Sequence, residues 1–218
     1  MTGAATRLSL VREQIARAAT AAKRDPHGIT LVAVTKQHGA EEIEPLIAAG
    51  VRDFGENRVA EAAEKWPRLR ADHPGLTLHM IGRLQSNKAE DAALLFDTIH
   101  SLDRPSLLAA LVAAAERTGR SPGVFVQVNI GGEGQKGGVA IDELPAFLEQ
   151  VRASPLRLEG LMAMPPLGQQ PGPYFALLAE LARRHGVKGL SMGMSADYPT
   201  AVMLGATVVR IGSALFED

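Results

Sequence analysis

Cysteine is absent from this 218-residue sequence. A chain without cysteine forms no disulfide, has no thiolate nucleophile and builds no zinc or iron–sulfur site with sulfur ligands. No run of about 18 apolar residues occurs either, so no membrane-spanning helix is predicted. Charged residues interrupt the first dozen positions, which therefore lack the apolar segment of a secretory signal. These absences favour a cytoplasmic protein.

An excess of either charge is also missing, since 23 Lys and Arg stand against 24 Asp and Glu. The formal net charge of −1 gives no uniform positive field that would hold nucleic acid or an anionic membrane surface. The six histidines are scattered singly, without the spacing of a zinc motif. The sequence therefore predicts neither nucleic acid, nor membrane, nor a metal ion as a partner.

Short β-branched apolar runs alternate with helical patterns along nearly the whole chain. Before the first run, Leu8, Val11 and Ile15 recur at helical spacing and predict a leading helix that ends before Pro26. Strands that alternate with helices indicate a parallel sheet. The eight predicted strands cover residues 29–35, 51–54, 76–81, 97–102, 124–129, 156–162, 188–192 and 207–211.

Eight strand–helix units in one chain allow two architectures, a closed barrel or an open doubly wound sheet. Eight units favour closure, because a closed barrel has no edge strands to protect. The sequence has no Pro/Ser-rich linker and no shift of composition. We therefore predict an α/β protein, a single (β/α)8 TIM-type barrel domain over residues 1–218, with an extra helix at the N-terminus.

The ends of the strands are where such barrels place their chemistry. Lys36 follows the first strand and shares its face with Val32 and Val34. If this face is the barrel interior, burial disfavours the ammonium and leaves a nucleophilic amine, as a Schiff base requires. The alternative is a solvated lysine one residue beyond the strand.

The last two strands end in hydroxyls and glycines. Gly212 lets the backbone approach a ligand, and its N–H and that of Ser213 open the next helix, which favours an anion. The preceding strand ends with Ser191 and leads to Ser195. Two such loops on neighbouring strands predict a phosphate site. The alternative is that the glycines only form turns and Ser195 only caps a helix that runs to Gly205.

Six motifs resemble one family, the YggS/PROSC family of pyridoxal phosphate (PLP) homeostasis proteins. They occur in the family's order and span nearly the whole chain. They are AVTKQ at Lys36, FGENRV at 54–59, HMIGRLQSNK at 79–88, GLMAMPP at 160–166, LSMGMSADYPTAV at 190–202 and VRIGSALF at 209–216. The chain departs from the family at its end, which stops at Phe216-Glu217-Asp218 instead of continuing as FGxRxY.

The resemblance implies a fold like the N-terminal barrel of alanine racemase, with PLP held as a Schiff base on Lys36. It places Arg210 at the pyridine nitrogen, where a fixed positive charge disfavours a protonated ring and weakens PLP as an electron sink. The cofactor-binding residues it implies are Lys36, Asn57, His79, Ser191, Met194, Ser195, Arg210, Gly212 and Ser213.

The function implied by the resemblance is a non-enzymatic PLP carrier for intracellular PLP homeostasis, with no catalytic residue. We expect a cytoplasmic monomer with PLP-dependent apoenzymes as acceptors. One alternative is a PLP-dependent racemase, which needs a second base opposite the lysine; neither Tyr174 nor Tyr198 is an obvious one. The other is a Schiff-base aldolase that uses Lys36 on a sugar phosphate.

Overall fold

Eight parallel strands close into a barrel in chain order, with the last strand paired to the first. The structure is a computed structural model, and it describes residues 3–135 and 137–217. It confirms the predicted (β/α)8 barrel and excludes the open sheet. The strands are β1 Thr30–Val34, β2 Asp53–Glu56, β3 Thr77–Met80, β4 Thr98–Leu102, β5 Gly123–Gln127, β6 Arg157–Met162, β7 Gly189–Ser191 and β8 Val208–Ile211.

Helices surround the barrel, and one of them precedes the first strand, as predicted. Within the described ranges, none combines the length and apolar character needed to cross a membrane. The helices are α1 Gly3–Ala21, α2 Ala40–Ala48, α3 Val59–Asp72, α4 Ala89–Leu95, α5 Pro105–Thr118, α6 Leu144–Arg152, α7 Pro171–Arg184, α8 Tyr198–Met203 and α9 Ser213–Phe216.

The second strand lies two residues further along the chain than predicted. The sequence suggests residues 51–54, whereas β2 covers Asp53–Glu56. Glu56 is fully buried in this strand, and a carboxylate is rarely buried unless it is paired. The partner, Lys65, lies on α3. A prediction from the apolar pattern of one strand does not include this partner, so it ends the strand before the charged Glu56.

The two faces of the barrel wall are packed differently. Side chains alternate along each strand, and those pointing outward join the helices in one continuous apolar core. The interior holds a much smaller apolar cluster of Val32, Phe125, Met162 and Val208. The remaining interior is largely polar, and its hydrogen-bonded side chains include those of Asp53, His79, His100, Ser191 and Arg210.

Candidate functional site

A cavity of about 700 Å³ opens at the carboxyl end of the barrel. The residues that line it lie at or after the ends of β1, β2, β3, β5, β6, β7 and β8, because the carboxyl ends of parallel strands meet at one rim. Seven of the nine residues that the sequence nominates line this cavity: Lys36, Asn57, Met194, Ser195, Arg210, Gly212 and Ser213.

The other two nominated residues, His79 and Ser191, are buried deeper in the barrel. His79 lies two positions before Ile81, which does line the cavity. Ser191 reaches the cavity only through Arg210, whose Nη1 donates a hydrogen bond to the serine Oγ over 2.5 Å. The structure therefore places these two residues behind the cavity wall.

Several lining residues are missed by the sequence reasoning. Most of them come from segments between strands and helices, whose course a strand pattern does not predict, whereas Gln127 ends β5. A search for basic and amide side chains just after strands would have found Arg83, which follows β3 within the HMIGRLQSNK motif. The missed residues include Gln37, His38, Arg83, Gln127, Met164 and Glu217.

Lys36 lies in a turn just beyond β1, and its side chain is exposed at the cavity. Of the two alternatives for Lys36, the structure has the exposed lysine beyond the strand, because β1 ends at Val34 and the turn begins after Thr35. The turn continues through Gln37, whose φ of 65° is left-handed. Among the residues that the structure describes, none forms a hydrogen bond or ion pair with Lys36 Nζ. The amine is thus available to a ligand in the cavity.

A second lysine fixes this turn from outside the barrel. Lys65 Nζ donates hydrogen bonds to the carbonyl oxygens of Thr35, at 2.8 Å, and His38, at 3.0 Å. It also forms an ion pair with Glu56 Oε1 at 2.8 Å. The two carbonyls flank Lys36 and Gln37, so the ammonium of Lys65 holds both ends of the segment that carries the exposed amine.

The carboxylate of Glu56 completes this clamp. Its Oε1 accepts hydrogen bonds from Thr35 Oγ1 at 2.6 Å and from Trp66 Nε1 at 2.9 Å. Hydrogen bonds to a charged group are the stronger kind. Glu61 adds a further contact by accepting from the backbone N–H of Gln37 at 2.6 Å. The position of Lys36 is therefore set by groups in the helix layer.

Ser195 holds the loop after β7 against the segment after β8. Its Oγ accepts hydrogen bonds from the backbone N–H of Gly212, at 3.1 Å, and of Ala214, at 3.4 Å. The alternative that Ser195 caps the next helix is wrong, because α8 begins at Tyr198 and follows Asp197. The hydroxyl of Ser195 and the N–H groups after β8 thus form one wall of the cavity.

Gly193 gives this loop its path. Its φ is +94°, and an added Cβ would lie 2.6 Å from Ala201 Cβ on α8. A side chain at this position would meet both a strained backbone and a helix that cannot move away easily. The glycine therefore allows the loop carrying Met194 and Ser195 to turn toward the cavity.

The C-terminal segment closes one side of the cavity. The ring of Phe216 stacks on His38 with 3.8 Å between centroids and 12° between planes. Arg7 on α1 donates from Nε to the carbonyl oxygen of Leu215 at 2.8 Å. The extra N-terminal helix thereby supports the segment after β8, and the stacked rings join it to the turn that contains Lys36.

Arg210 supplies a buried positive charge at the cavity wall. It is 3% exposed, and its Nη2 donates to the carbonyl oxygen of Ala163 at 3.3 Å. Burial lowers the pKa of Arg210 to about 10, which still leaves the guanidinium charged at neutral pH. No carboxylate in the described part of the chain lies within ion-pair distance of it.

His100 lies next to Ser191 in the interior and is fully buried. Desolvation holds the pKa of His100 well below its usual range, and the neighbouring His79 and Arg210 lower it further. The imidazole is therefore neutral at pH 7. The sequence reasoning missed His100, because a histidine within a predicted strand gives no signal of the residue that it will meet across the barrel.

Neither tyrosine lines the cavity. Tyr198 is buried, and its hydroxyl donates to Gln14 Oε1 on α1 at 2.7 Å. Burial raises the pKa of Tyr198 above its usual value. Tyr174 lies in the first turn of α7. Across residues 3–135 and 137–217, no group of three or more His, Cys, Asp or Glu could hold a metal ion.

The chemistry of the cavity combines three elements. An unpaired primary amine can attack a carbonyl carbon. A fixed guanidinium lies in the wall, and the hydroxyl groups of Ser195 and Ser213, which also line the cavity, can face an oxyanion. Together they suit a small compound that carries both a carbonyl group and a negative charge.

Comparisons with known proteins place the chain among relatives of nearly equal length. The family model "Alanine racemase, N-terminal domain" matches residues 7–218. A pyridoxal phosphate homeostasis protein of Pseudomonas aeruginosa is 44% identical over 99% of this chain and 96% of its own length. One of Deinococcus radiodurans is 42% identical over 96% and 97%, respectively.

A solved structure has the same fold over the whole barrel. It is that of PipY from Synechococcus elongatus with PLP bound. It is 39% identical to this chain, with a TM-score of 0.85, and the match covers 98% of this chain and 99% of that one.

Proposed function

The chain belongs to the alanine racemase N-terminal domain family and, within it, to the pyridoxal phosphate homeostasis proteins, and we propose that it binds PLP in the cavity at Lys36. The observation that carries the proposal is the unpaired amine of Lys36 in one cavity with Arg210 and Ser195. PLP offers an aldehyde to the amine and a phosphate to the donors. The proposed role of the protein is to hold PLP for intracellular PLP homeostasis.

The covalent step needs only the lysine and the cofactor. The Nζ of Lys36 would attack the aldehyde carbon and end in a C=N bond to it, and the carbonyl oxygen would leave as water with the two hydrogens of the amine, which gives a Schiff base. No oxidant or reductant takes part. The turn held by Lys65 and Glu56 keeps the amine at the cavity mouth.

The remaining nominated residues would orient the cofactor. Ser195, Gly212 and Ser213 would bind the phosphate, while Arg210 would face the pyridine nitrogen. Met194 and Asn57 line the cavity and would contact the ring and its substituents. His79 and Ser191, which lie behind the wall, would act through Arg210 rather than touch the cofactor.

A carrier fits this site better than an enzyme. PLP by itself supplies an electron sink to amino-acid chemistry, but racemisation also needs a base on the face opposite the lysine. Tyr198, whose hydroxyl is bound to Gln14, is turned away from the cavity. The exposed Lys36 and the open cavity suit uptake and release, with PLP-dependent apoenzymes as acceptors in the cytoplasm. A cytoplasmic location and a monomeric state remain predictions from the sequence.

The visible absorption spectrum with and without added PLP tests the proposal. We expect wild type and Lys88→Ala, a variant of an exposed lysine outside the cavity, to develop the yellow band of a Schiff base. Lys36→Ala should lose the band. If wild type shows no band with excess PLP, the proposal fails.

The carrier role has its own test in deuterated solvent. The PLP-loaded protein is incubated with a panel of D- and L-amino acids, and exchange at Cα is followed by NMR. We expect no exchange above that of free PLP. Exchange at Cα would replace the carrier with a racemase-like enzyme, and aldol cleavage without PLP would indicate an aldolase.

A further inference from the structure

An unbroken chain of hydrogen bonds crosses the barrel interior from the cavity wall to the opposite end. Arg210 Nη1 donates to Ser191 Oγ at 2.5 Å, and Ser191 Oγ lies 2.8 Å from His100 Nδ1. His100 Nε2 lies 3.0 Å from His79 Nδ1, and His79 Nε2 lies 3.1 Å from Asp53 Oδ1. The five residues come from β8, β7, β4, β3 and β2.

The two ends of the chain dictate the position of every proton between them. A guanidinium can only donate, and an ionised carboxylate can only accept. Ser191 Oγ accepts a hydrogen bond from Arg210, and the serine hydroxyl donates its own hydrogen bond to His100 Nδ1. His100 must then donate from Nε2 to His79 Nδ1, which leaves His79 Nε2 to donate to Asp53. In this order each imidazole accepts a hydrogen bond on Nδ1 and donates one from Nε2.

The opposite order leaves a proton without an acceptor. If His100 donated from Nδ1 to Ser191, the serine Oγ would receive two donors, and its own hydrogen would need another partner. No such partner occurs for Ser191 in the described ranges. A buried donor without a partner is unfavourable, because it has lost its hydrogen bonds to water and gained none. The carboxylate of Asp53 therefore selects one direction for the whole chain.

Packing holds the rings in this order. His100 stacks on Phe125 with 4.5 Å between centroids and meets His79 edge to face at 5.1 Å. Burial keeps His100 uncharged, as its lowered pKa indicates. Burial lowers the pKa of Arg210, and the negative charge of Asp197 acts against that lowering. The chain of four hydrogen bonds links the guanidinium to a second carboxylate, Asp53, which is 30% exposed at the amino end of the barrel.

We propose that Asp53, His79 and His100 are positioning residues for Arg210, and that the charge of Asp53 at one end of the barrel fixes how Arg210 meets a cofactor at the other. The part of this inference that concerns the cofactor rests on the proposed function. Asp53 polarises each hydrogen bond toward itself. The Ser191 hydroxyl, which donates its hydrogen bond to His100, is the better acceptor for Arg210 and holds the guanidinium in place.

The protonation pattern can be measured without any cofactor. In ¹H–¹⁵N long-range correlation spectra of the wild-type protein near pH 7.5, we expect the signals of His79 and His100 to be those of neutral, Nε2-protonated rings. His79→Gln and His100→Asn assign the signals. An Nδ1-protonated ring or an imidazolium at either position would overturn the proposed order.

The effect on the site is measured with Asp53→Asn, which keeps the shape of the side chain and removes its charge. We expect a shifted absorption maximum of the PLP adduct and PLP release that is roughly fivefold faster, the size of one weakened hydrogen bond of about 1 kcal/mol. Asp91→Asn, an exposed carboxylate paired with Lys88, is the matched control and should change neither.

The outcomes separate this inference from the proposed function. If wild type takes up no PLP, the proposed function fails. The tautomers of His79 and His100, measured by NMR without PLP, still test the proposed direction of the hydrogen bonds. If wild type forms the adduct but Asp53→Asn leaves both its spectrum and its release rate unchanged, the positioning role is wrong. A change in stability alone, with an unchanged spectrum, also contradicts it.

Discussion

The two carboxylates of β2 lie three residues apart and face opposite sides of the barrel wall. Glu56 points into the helix layer and meets its cation directly, with 2.8 Å to Lys65 Nζ. Asp53 points into the interior and reaches Arg210 only through two histidines and a serine. Both connections end at the candidate site, the first at the turn of Lys36 after β1 and the second at Arg210 on the neighbouring strand β8.

The difference shows two ways of placing a charged group precisely. A direct ion pair holds two backbone segments together, but it leaves a buried charge when either partner is lost. A relayed connection links the two charged groups through several hydrogen bonds, and it ends at a carboxylate that is partly exposed. We therefore expect the direct pair to dominate stability, and the relay to dominate the properties of the site.

Lys65→Met is the change with the largest expected effect. It removes the cation and leaves Glu56 buried, so we expect the free energy of unfolding to fall by about 3–5 kcal/mol. Urea denaturation followed by circular dichroism measures it. Lys88→Met removes an exposed lysine and should cost less than about 0.5 kcal/mol. A loss below about 1 kcal/mol for Lys65→Met would contradict a direct pair that dominates stability.

Adding Glu56→Gln to Lys65→Met tests whether the stranded charge causes that loss. The amide keeps an oxygen that accepts from Thr35 and Trp66, and it carries no charge. We expect the double variant to recover about 2–3 kcal/mol relative to Lys65→Met alone. The same urea titration reports it. If the double variant is less stable than the single one, the charge of Glu56 is not the cause.

Thr35→Val probes the hydrogen bond between the turn and the same carboxylate. The substitution keeps the shape of the side chain but removes the donor to Glu56 Oε1. A bond to a charged acceptor contributes about 2 kcal/mol, and we expect that loss in thermal or urea unfolding. Thr35→Ser retains the hydroxyl and serves as the control. Equal losses in the two variants would assign the effect to packing instead.

His100 gives the relay a dependence of stability on pH. The pKa of His100 is lowered in the folded protein, whereas the unfolded chain titrates near its ordinary value of about 6.5. Above that pH both states are neutral, and stability is fully present. Below it only the unfolded chain gains the proton, so stability falls by about 1.4 kcal/mol per pH unit.

The measurement compares urea unfolding at several pH values between 7.5 and about 5, the range in which the unfolded histidine takes up its proton. His100→Asn should remove this part of the slope. His27→Asn, at an exposed position, should leave the slope as in wild type. Identical slopes for wild type and His100→Asn would show that His100 is not held neutral by the fold.

Local patterns were sufficient for the barrel and for most of the cavity. The strands and helices are predicted from their alternation, and the anion site from glycines and hydroxyls after the last strands. Both patterns depend only on residues that are close together in the sequence. Seven of the nine residues that the family resemblance nominates line one cavity, because each lies near the end of a strand or just after it, and parallel strands end at one rim.

The sequence by itself therefore determined the eight-stranded barrel, its leading helix and the lysine at its mouth, since these depend on period and on position relative to a strand. Only the tertiary structure decided that Lys36 is exposed, that Lys65 holds its turn, and that His100 joins Ser191 from 91 positions away. The physical reason is that closure of the barrel brings inward side chains of distant strands within hydrogen-bond distance. The partner that a buried polar group finds is then a property of the closed interior and not of its own strand.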